Sequence, residues 1–290
     1  MSGKLILVGT PIGNLSDFSP RAQDTLESAD FIAAEDTRVT AKLLNRFGIK
    51  KPMISYYEHN KYEKGKLICC RMEAGETCAL VTDAGMPAIS DPGELLVSQC
   101  AERGIPVFVV PGPSAVVSAL AVSGLPTGRF TFEGFLSVSH KSRREHLEQL
   151  KAEHRTMVFY EAPHKLAATL ADMAAAWGGE RRIVLVREMT KIHEEVLRTT
   201  LAQAAEHYAG EPARGEFVLV IEGAPESEPK ESSAEEALNL AREYLTRGLS
   251  AAAAAKRAAA ETGRRKNELY RALTHGPDGT GKESSAGQEK

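Results

Sequence analysis

The sequence predicts an α/β protein of two α/β domains followed by a small all-α module. Three observations carry this. Short apolar runs alternate with longer amphipathic runs from residue 5 to about 221. A turn-rich joint, Gly124-Leu125-Pro126-Thr127-Gly128, interrupts the alternation midway. Beyond a polar stretch at 225–232 the composition turns to Ala, Lys and Arg.

The elements follow in order. An apolar strand is predicted over 5–8, then the loop Gly9-Thr10-Pro11-Ile12-Gly13-Asn14. Ser19 is placed as an N-cap with Pro20 at the first helical position. A second strand over 31–34 ends in Glu35-Asp36-Thr37-Arg38, and a helix over 40–47 stops at Gly48. Strands over 53–56, 77–81 and 107–110 alternate with helices from about 60 to 75, from 94 to 101 and over 116–122. Five βα units of this kind predict a largely parallel sheet in a domain of residues 1–123.

The second domain, 124–224, carries strands over 130–135, 156–160, 183–186, 195–199 and 217–221, with helices over 141–153, 165–176 and 201–208. Residues 225–274 form a linker and three short helices, with turns at Gly248 and Gly263 that fit a helix-turn-helix. The tail 275–290 reads as disordered.

The chain has 290 residues and a net charge of −3, so no global field draws it to nucleic acid or membrane. Residues 242–271 depart from this balance, with eight basic and three acidic side chains. That local surplus points to a nucleic-acid-facing module, with Lys256, Arg257, Arg264, Arg265 and Lys266 at its centre; the plainer alternative is a helical cap with a solvated face. No apolar stretch is long enough to span a bilayer or serve as a signal peptide, so a cytoplasmic protein without membrane association is expected. Cys69, Cys70, Cys78 and Cys100 lack CxxC spacing and are expected to be buried thiols.

Some motifs fail. Gly276-Pro277-Asp278-Gly279-Thr280-Gly281-Lys282 is followed by Glu283, where a P-loop needs Ser or Thr. His193-Glu194 opens like a zinc-protease motif, but Leu197 stands at the second His position. No GxGxxG fingerprint or metal-ligand cluster occurs, and no metal is expected.

The loops that carry chemistry are 9–14, 82–93 and 111–115. Each follows a strand of the first domain and is rich in Gly and Pro. None carries Lys or Arg, which disfavours a phosphate-rich ligand and favours a nucleoside-like one with an amino-acid tail. Charged residues at strand ends (Glu35, Asp36, Arg38, Glu133, Glu161, Arg187, Glu188, Lys191) are candidates for proton transfer or phosphate contact, each with surface ion pairing as its plain alternative. Arg143 and Arg144 open a charged helix and are candidate RNA phosphate contacts.

The ordered motifs Val8–Leu15, Glu35-Asp36-Thr37-Arg38, the loop 82–93, Pro111-Gly112-Pro113-Ser114-Ala115, Phe159-Tyr160-Glu161-Ala162-Pro163-His164 and Arg187-Glu188-Met189-Thr190-Lys191 resemble those of the tetrapyrrole-methylase superfamily. Within it they resemble the branch that methylates a cytidine 2′-hydroxyl of 16S ribosomal RNA. The resemblance runs from about residue 5 to 223, and the basic tail is similar to that branch's C-terminal module. It implies S-adenosylmethionine in a cleft between the two α/β domains, usually in a homodimer, with the small ribosomal subunit as partner. It places the cofactor against Pro11, Ile12, Ala84, Gly85, Met86, Ile89, Ser114, Ala115, Tyr160, Glu161, Ala162, Met189 and Thr190. Catalytic duty falls among Glu35, Asp36, Arg38, Glu188 and Lys191. Porphyrin-modifying members have Gly-Asp-Pro where this chain reads Gly85-Met86-Pro87, which argues against a tetrapyrrole substrate. A small-molecule C-methyltransferase and a non-catalytic RNA-binding assembly factor remain the alternatives.

Overall fold

The computed structural model describes residues 3–210, 213–225 and 233–275. Most of the expected linker and tail, with the P-loop-like stretch, lie outside the described residues. The chain divides into two compact units, 1–224 and 225–290.

The first unit holds two sheets. In the first sheet β1 (Lys4–Val8), β2 (Phe31–Ala34), β3 (Met53–Ser55), β4 (Thr77–Val81) and β5 (Val107–Val110) are ordered β3-β2-β4-β1-β5, and every pairing is parallel. Their apolar runs are continuous rather than alternating, because helices cover both faces. Helices α1 (Pro20–Ser28) and α2 (Thr37–Arg46) pack Leu26 and Leu44 on one face with Ile32 and Val81. Helices α3 (Lys61–Glu73) and α4 (Gly93–Glu102) pack Ile68, Met72 and Leu96 on the other with Phe31 and Leu80. The chain leaves β1 toward β2 but leaves β4 toward β5, so neighbouring β1 and β4 flank a topological switch point. Ligands of open α/β sheets bind at the carboxyl ends of strands there.

α5 (Ala115–Ser123) ends at Gly124 with φ 77°, the left-handed turn that closes the first half. The second sheet contains β6 (Phe130–Phe135), β7 (Thr156–Glu161), β8 (Arg182–Arg187), β9 (Glu195–Thr200) and β10 (Phe217–Ile221), ordered β6-β7-β10-β8-β9. Only β6 and β7 run parallel; β10 lies antiparallel between β7 and β8. Helices α6 (His140–Gln149), α7 (Pro163–Trp177) and α8 (Leu201–Ala209) cover one face through Leu147, Leu166, Met173 and Ala204. α5 covers the other through Val116 and Leu120.

Two expectations are corrected. α2 starts at Thr37 rather than at 40, because the Asp36 carboxylate accepts from the Arg38 N–H and caps the helix. Cys70 is exposed while Cys69 is buried, since adjacent residues on a helix point about 100° apart.

The second unit has α9 (Ala234–Thr246), α10 (Ala251–Thr262) and α11 (Lys266–His275). Ser233 and Glu236 form a capping box on α9. Ala237, Ala241, Ala254, Ala255 and Ala258 let the helices approach closely around Tyr244 and Leu269. No helix among the described residues is long and apolar enough to cross a membrane.

Candidate functional site

A cleft of about 440 Å³ opens at the carboxyl ends of β2 and β4 and is closed by strand ends of the second sheet. Its size is that of a pocket for a single small molecule. Its floor depends on two close approaches. Thr10 and Gly85 exchange backbone hydrogen bonds at 2.9 and 3.2 Å, tying the loop after β1 to the loop after β4. Gly85 takes φ 93°, which a side chain would resist. A Cβ on Gly9 would lie 2.7 Å from the Gly112 Cα and 2.8 Å from the Met86 Sδ. The Gly112 N–H in turn donates to the Met86 Sδ at 3.2 Å.

Of the residues expected at the cofactor, Ile12, Ala84, Gly85, Met86, Ile89, Ser114, Ala115, Tyr160, Glu161, Ala162 and Met189 all line the cleft. Pro11 and Thr190 do not. The Thr190 hydroxyl is buried without a hydrogen-bond partner, beside Gly13. The lining also includes Thr82, Asp83, Ser90, Asp91, Phe135, Pro163, Val186, Glu216, Phe217 and Val218. Four of these fall within the loop already singled out at 82–93. Glu216, Phe217 and Val218 enter only because β10 inserts beside β7, a pairing without a local sequence signal.

Among the expected catalytic residues only Glu35 lines the cleft, and its Oε2 accepts from the Thr82 hydroxyl at 2.6 Å. Asp36 is committed to Arg38, which donates from Nε at 3.0 Å and from its terminal nitrogen at 2.6 Å. That guanidinium holds the Asp36 carboxyl down at about 2. Glu188 accepts from Lys191 Nζ at 2.9 Å and from the Glu216 N–H at 2.9 Å, and the Lys191 bond holds its carboxyl below the usual range. Burial alone would lower the Lys191 ammonium, but hydrogen bonds to Glu188 and Glu216 hold it above its ordinary value. A neutral lysine base is therefore disfavoured at this position.

Asp83 behaves differently. Partial burial, with Glu35 and Asp36 nearby, pushes its carboxyl up. Asp91 is raised by burial too; its Oδ1 accepts from the Ala88 and Gly93 N–H groups, while its Oδ2 is buried without a partner. Glu161 is buried and spends its oxygens on the Ala162 N–H and the Thr169 hydroxyl. It fixes the end of β7 rather than offering a free carboxylate. Ala88, Ser90, Glu188 and Thr190 are the non-glycine residues with positive φ among those described, and all sit in the two loops at the cleft. Such backbone costs about 1–3 kcal/mol per residue and collects at functional sites.

The remaining candidates of the first unit do not line the cleft. Arg143 is 6% exposed, and Asp172 accepts from its Nε at 2.7 Å, so it is a structural residue and not an outward phosphate contact. Arg144 is exposed. Glu133 pairs with His146, and Arg187 with Glu195. In the second unit Lys256, Arg257, Arg265 and Lys266 are exposed and Arg264 is half-buried; Arg257 also stacks over the Tyr244 ring at 4.9 Å.

The cleft's electrostatics are one-sided. Glu35, Asp83, Asp91, Glu161 and Glu216 line it, and among the described residues no Lys, Arg or His does. With apolar walls from Ile12, Ile89, Val186 and Met189, it suits a cationic small molecule and opposes a polyphosphate.

Comparison with known proteins agrees with this geometry. Residues 4–205 match the family described as Tetrapyrrole (Corrin/Porphyrin) Methylases. A Synechocystis protein named ribosomal RNA small subunit methyltransferase I is 45% identical over 268 residues, covering 92% of this chain and 96% of that one. Proteins of the same name from Halalkalibacterium halodurans and Thermotoga maritima are 47% and 48% identical. The first match covers 92% of this chain and 93% of the relative; the second covers 76% of this chain and 99% of the relative, over 221 residues. Among solved structures, a uroporphyrin-III C-methyltransferase from Thermus thermophilus has a TM-score of 0.53 at 20% identity, covering 76% of this chain and 97% of that one. A cobalt precorrin-4 methyltransferase has a TM-score of 0.56 at 18% identity, with coverage of 76% and 94%. The chain belongs to the tetrapyrrole methylase family, in the group of the ribosomal RNA small subunit methyltransferase I proteins.

Proposed function

We propose that the protein transfers a methyl group from S-adenosylmethionine to a cytidine ribose 2′-hydroxyl of 16S ribosomal RNA in the small ribosomal subunit. The observation that carries the cofactor reading is the cleft itself: apolar walls, five acidic residues and, among the described residues, no cation in the lining. A sulfonium with an α-ammonium group fits that field. Bound there, S-adenosylmethionine supplies an activated methyl group. Ile12, Met86, Ile89 and Met189 would pack the adenosine, and backbone groups of 84–86 with Ser114 would hydrogen-bond it. The RNA reading is supported by the names of relatives that match nearly full length, and by the departure from Gly-Asp-Pro at Gly85-Met86-Pro87.

The chain's own task is to align the ribose hydroxyl and accept its proton. Glu35 and Asp83, side by side at the cleft, suit that work. Asp36 and Glu188 are each tied to a cation, which lowers their basicity, so their part is positional, with Arg38 and Lys191 as partners. Exposed Arg144 in the first unit, and Lys256, Arg257, Arg265 and Lys266 with Arg264 in the second, are candidates for phosphate contact. A homodimer is part of the same reading. Edge strand β5 exposes Phe108 and Val109, and α5 exposes Val117 and Val122, an apolar border that a second copy would cover. A ribosomal substrate puts the work in the cytoplasm.

Titration calorimetry tests the cofactor reading. S-adenosylmethionine should bind and ATP should not; the opposite preference would overturn it.

A further inference from the structure

We infer that the outer face of α2 and the loop after β3 form an RNA-docking track that leads away from the cleft. This rests on the RNA reading above. The cleft's acidic lining repels phosphates, so a ribose can enter only if cations outside hold the flanking backbone. A run of exposed cations begins on α2, just after Glu35.

Residues 37–57 contain Arg38, Lys42, Arg46, Lys50 and Lys51 and no Asp or Glu, in a chain whose net charge is −3. Arg38, Lys42 and Arg46 are spaced four apart and all are exposed, forming one stripe along α2. Each step along it is about 6 Å. Among the described residues no ion pair involves Lys42, Arg46, Lys50 or Lys51. Elsewhere in the first unit exposed cations are commonly paired, as Lys141 is with Glu145 and Lys151 with Glu148. The stripe starts at the site: α2 begins two residues after Glu35, which lines the cleft.

The loop after β3 and the first turn of α3 add aromatic rings at the same end. The Tyr56 N–H donates to the Ala34 carbonyl at 2.8 Å, so Tyr57 leaves the sheet beside Glu35. The Tyr56 hydroxyl donates to the Pro92 carbonyl at 3.1 Å and joins this loop to the cleft wall. Tyr57 is 41% exposed and Tyr62 is 67% exposed, with His59 edge-on to Tyr57 at 6.0 Å and Lys61 over the Tyr62 ring. Asn60 fixes the loop, accepting from the Tyr57 N–H and donating to the Ser55 carbonyl. Exposed rings are what unstacked bases use as a platform, and the α2 stripe runs on from this end, from Arg38, which pairs with Asp36, to Lys42 and Arg46. Lys61 is itself paired with Glu58, so the loop contributes rings more than charge. The Thermotoga maritima relative carries the ribosomal RNA methyltransferase name although 221 matched residues cover 99% of it, close to the length of the first unit here. RNA contacts within the first unit are in keeping with that.

The test uses the full-length protein, with K42Q/R46Q and Y57A/Y62A double variants. Filter binding to deproteinised 16S RNA, methylation of small subunits and calorimetry with S-adenosylmethionine are measured on each. RNA affinity should fall about tenfold or more in either variant. The salt dependence of log affinity should flatten by about 1.4 in K42Q/R46Q, for two lost contacts to single-stranded RNA. Cofactor affinity should stay within about twofold and the melting temperature should hold, as these side chains are exposed. Unchanged RNA affinity and salt slope would overturn the track. So would weaker binding to subunits with unaltered binding to deproteinised RNA, which would assign the face to a ribosomal protein. Wild-type protein that binds RNA through these residues but transfers no methyl group would instead contradict the proposed reaction.

Discussion

The Asp83 carboxylate accepts a hydrogen bond from the Asp36 backbone N–H at 3.1 Å, tying the loop after β4 to the loop after β2. It places a carboxyl raised by burial next to one held at about 2 by Arg38, so the two differ in basicity although they are neighbours. Asp83→Asn keeps the acceptor oxygen and removes the proton acceptor. It should lower kcat by roughly 10²–10⁴ while cofactor affinity holds. With Asp83 as the base, log(kcat/KM) should climb with pH through a pKa above the ordinary Asp value and then level off, because the base must be ionised. Asp36 cannot give that inflection. A variant with wild-type kcat and pH profile would remove Asp83 from the reaction.

Gly112→Ala should damage the cleft floor. The added methyl would sit 2.8 Å from the Gly9 Cα, so the loops after β1 and β5 must part. Affinity for S-adenosylmethionine should fall at least about tenfold, the cost of roughly 1.4 kcal/mol of lost fit. Calorimetry reads this directly; unchanged affinity would show that the two loops can separate without reshaping the cleft.

The Arg143–Asp172 pair should matter to stability and not to RNA. Both side chains are nearly buried, with nitrogens 2.6 and 2.7 Å from the Asp172 Oδ2. Asp172→Ala leaves a buried guanidinium uncompensated and should cost about 3–5 kcal/mol in denaturant unfolding. Arg144→Ala, at an exposed side chain 3.5 Å from the same carboxylate, should cost under about 1 kcal/mol.

Phe108→Glu should shift a dimer toward monomer in sedimentation velocity, since it puts a charge on the exposed edge of β5. A monomeric wild type would set the dimer aside.

The parallel first sheet is legible in the sequence because each strand is one apolar run closed by Gly, Pro or an N-cap, as at Ser19-Pro20. Its cleft loops are legible for the same reason: backbone approaches such as Gly9 to Gly112 require glycine. The second half is less so. Strand β10 is uniformly apolar, and nothing local places it antiparallel between β7 and β8, which is what brings Phe217 and Val218 to the cleft. Charge is the least legible feature. Arg143 and Arg144 are adjacent and chemically alike, yet α6 turns one into the core and the other to solvent. Asp36 and Asp83 are also alike in type, yet Arg38, two positions on, lowers the first while burial raises the second.

The most direct measurement is methyl transfer itself. Small ribosomal subunits from cells lacking the modification, incubated with the protein and S-adenosylmethionine, are digested and their nucleosides read by mass spectrometry. New 2′-O-methylcytidine is the expected product. Cofactor binding with no gain of that nucleoside, or methylation of a base in its place, would contradict the proposed reaction.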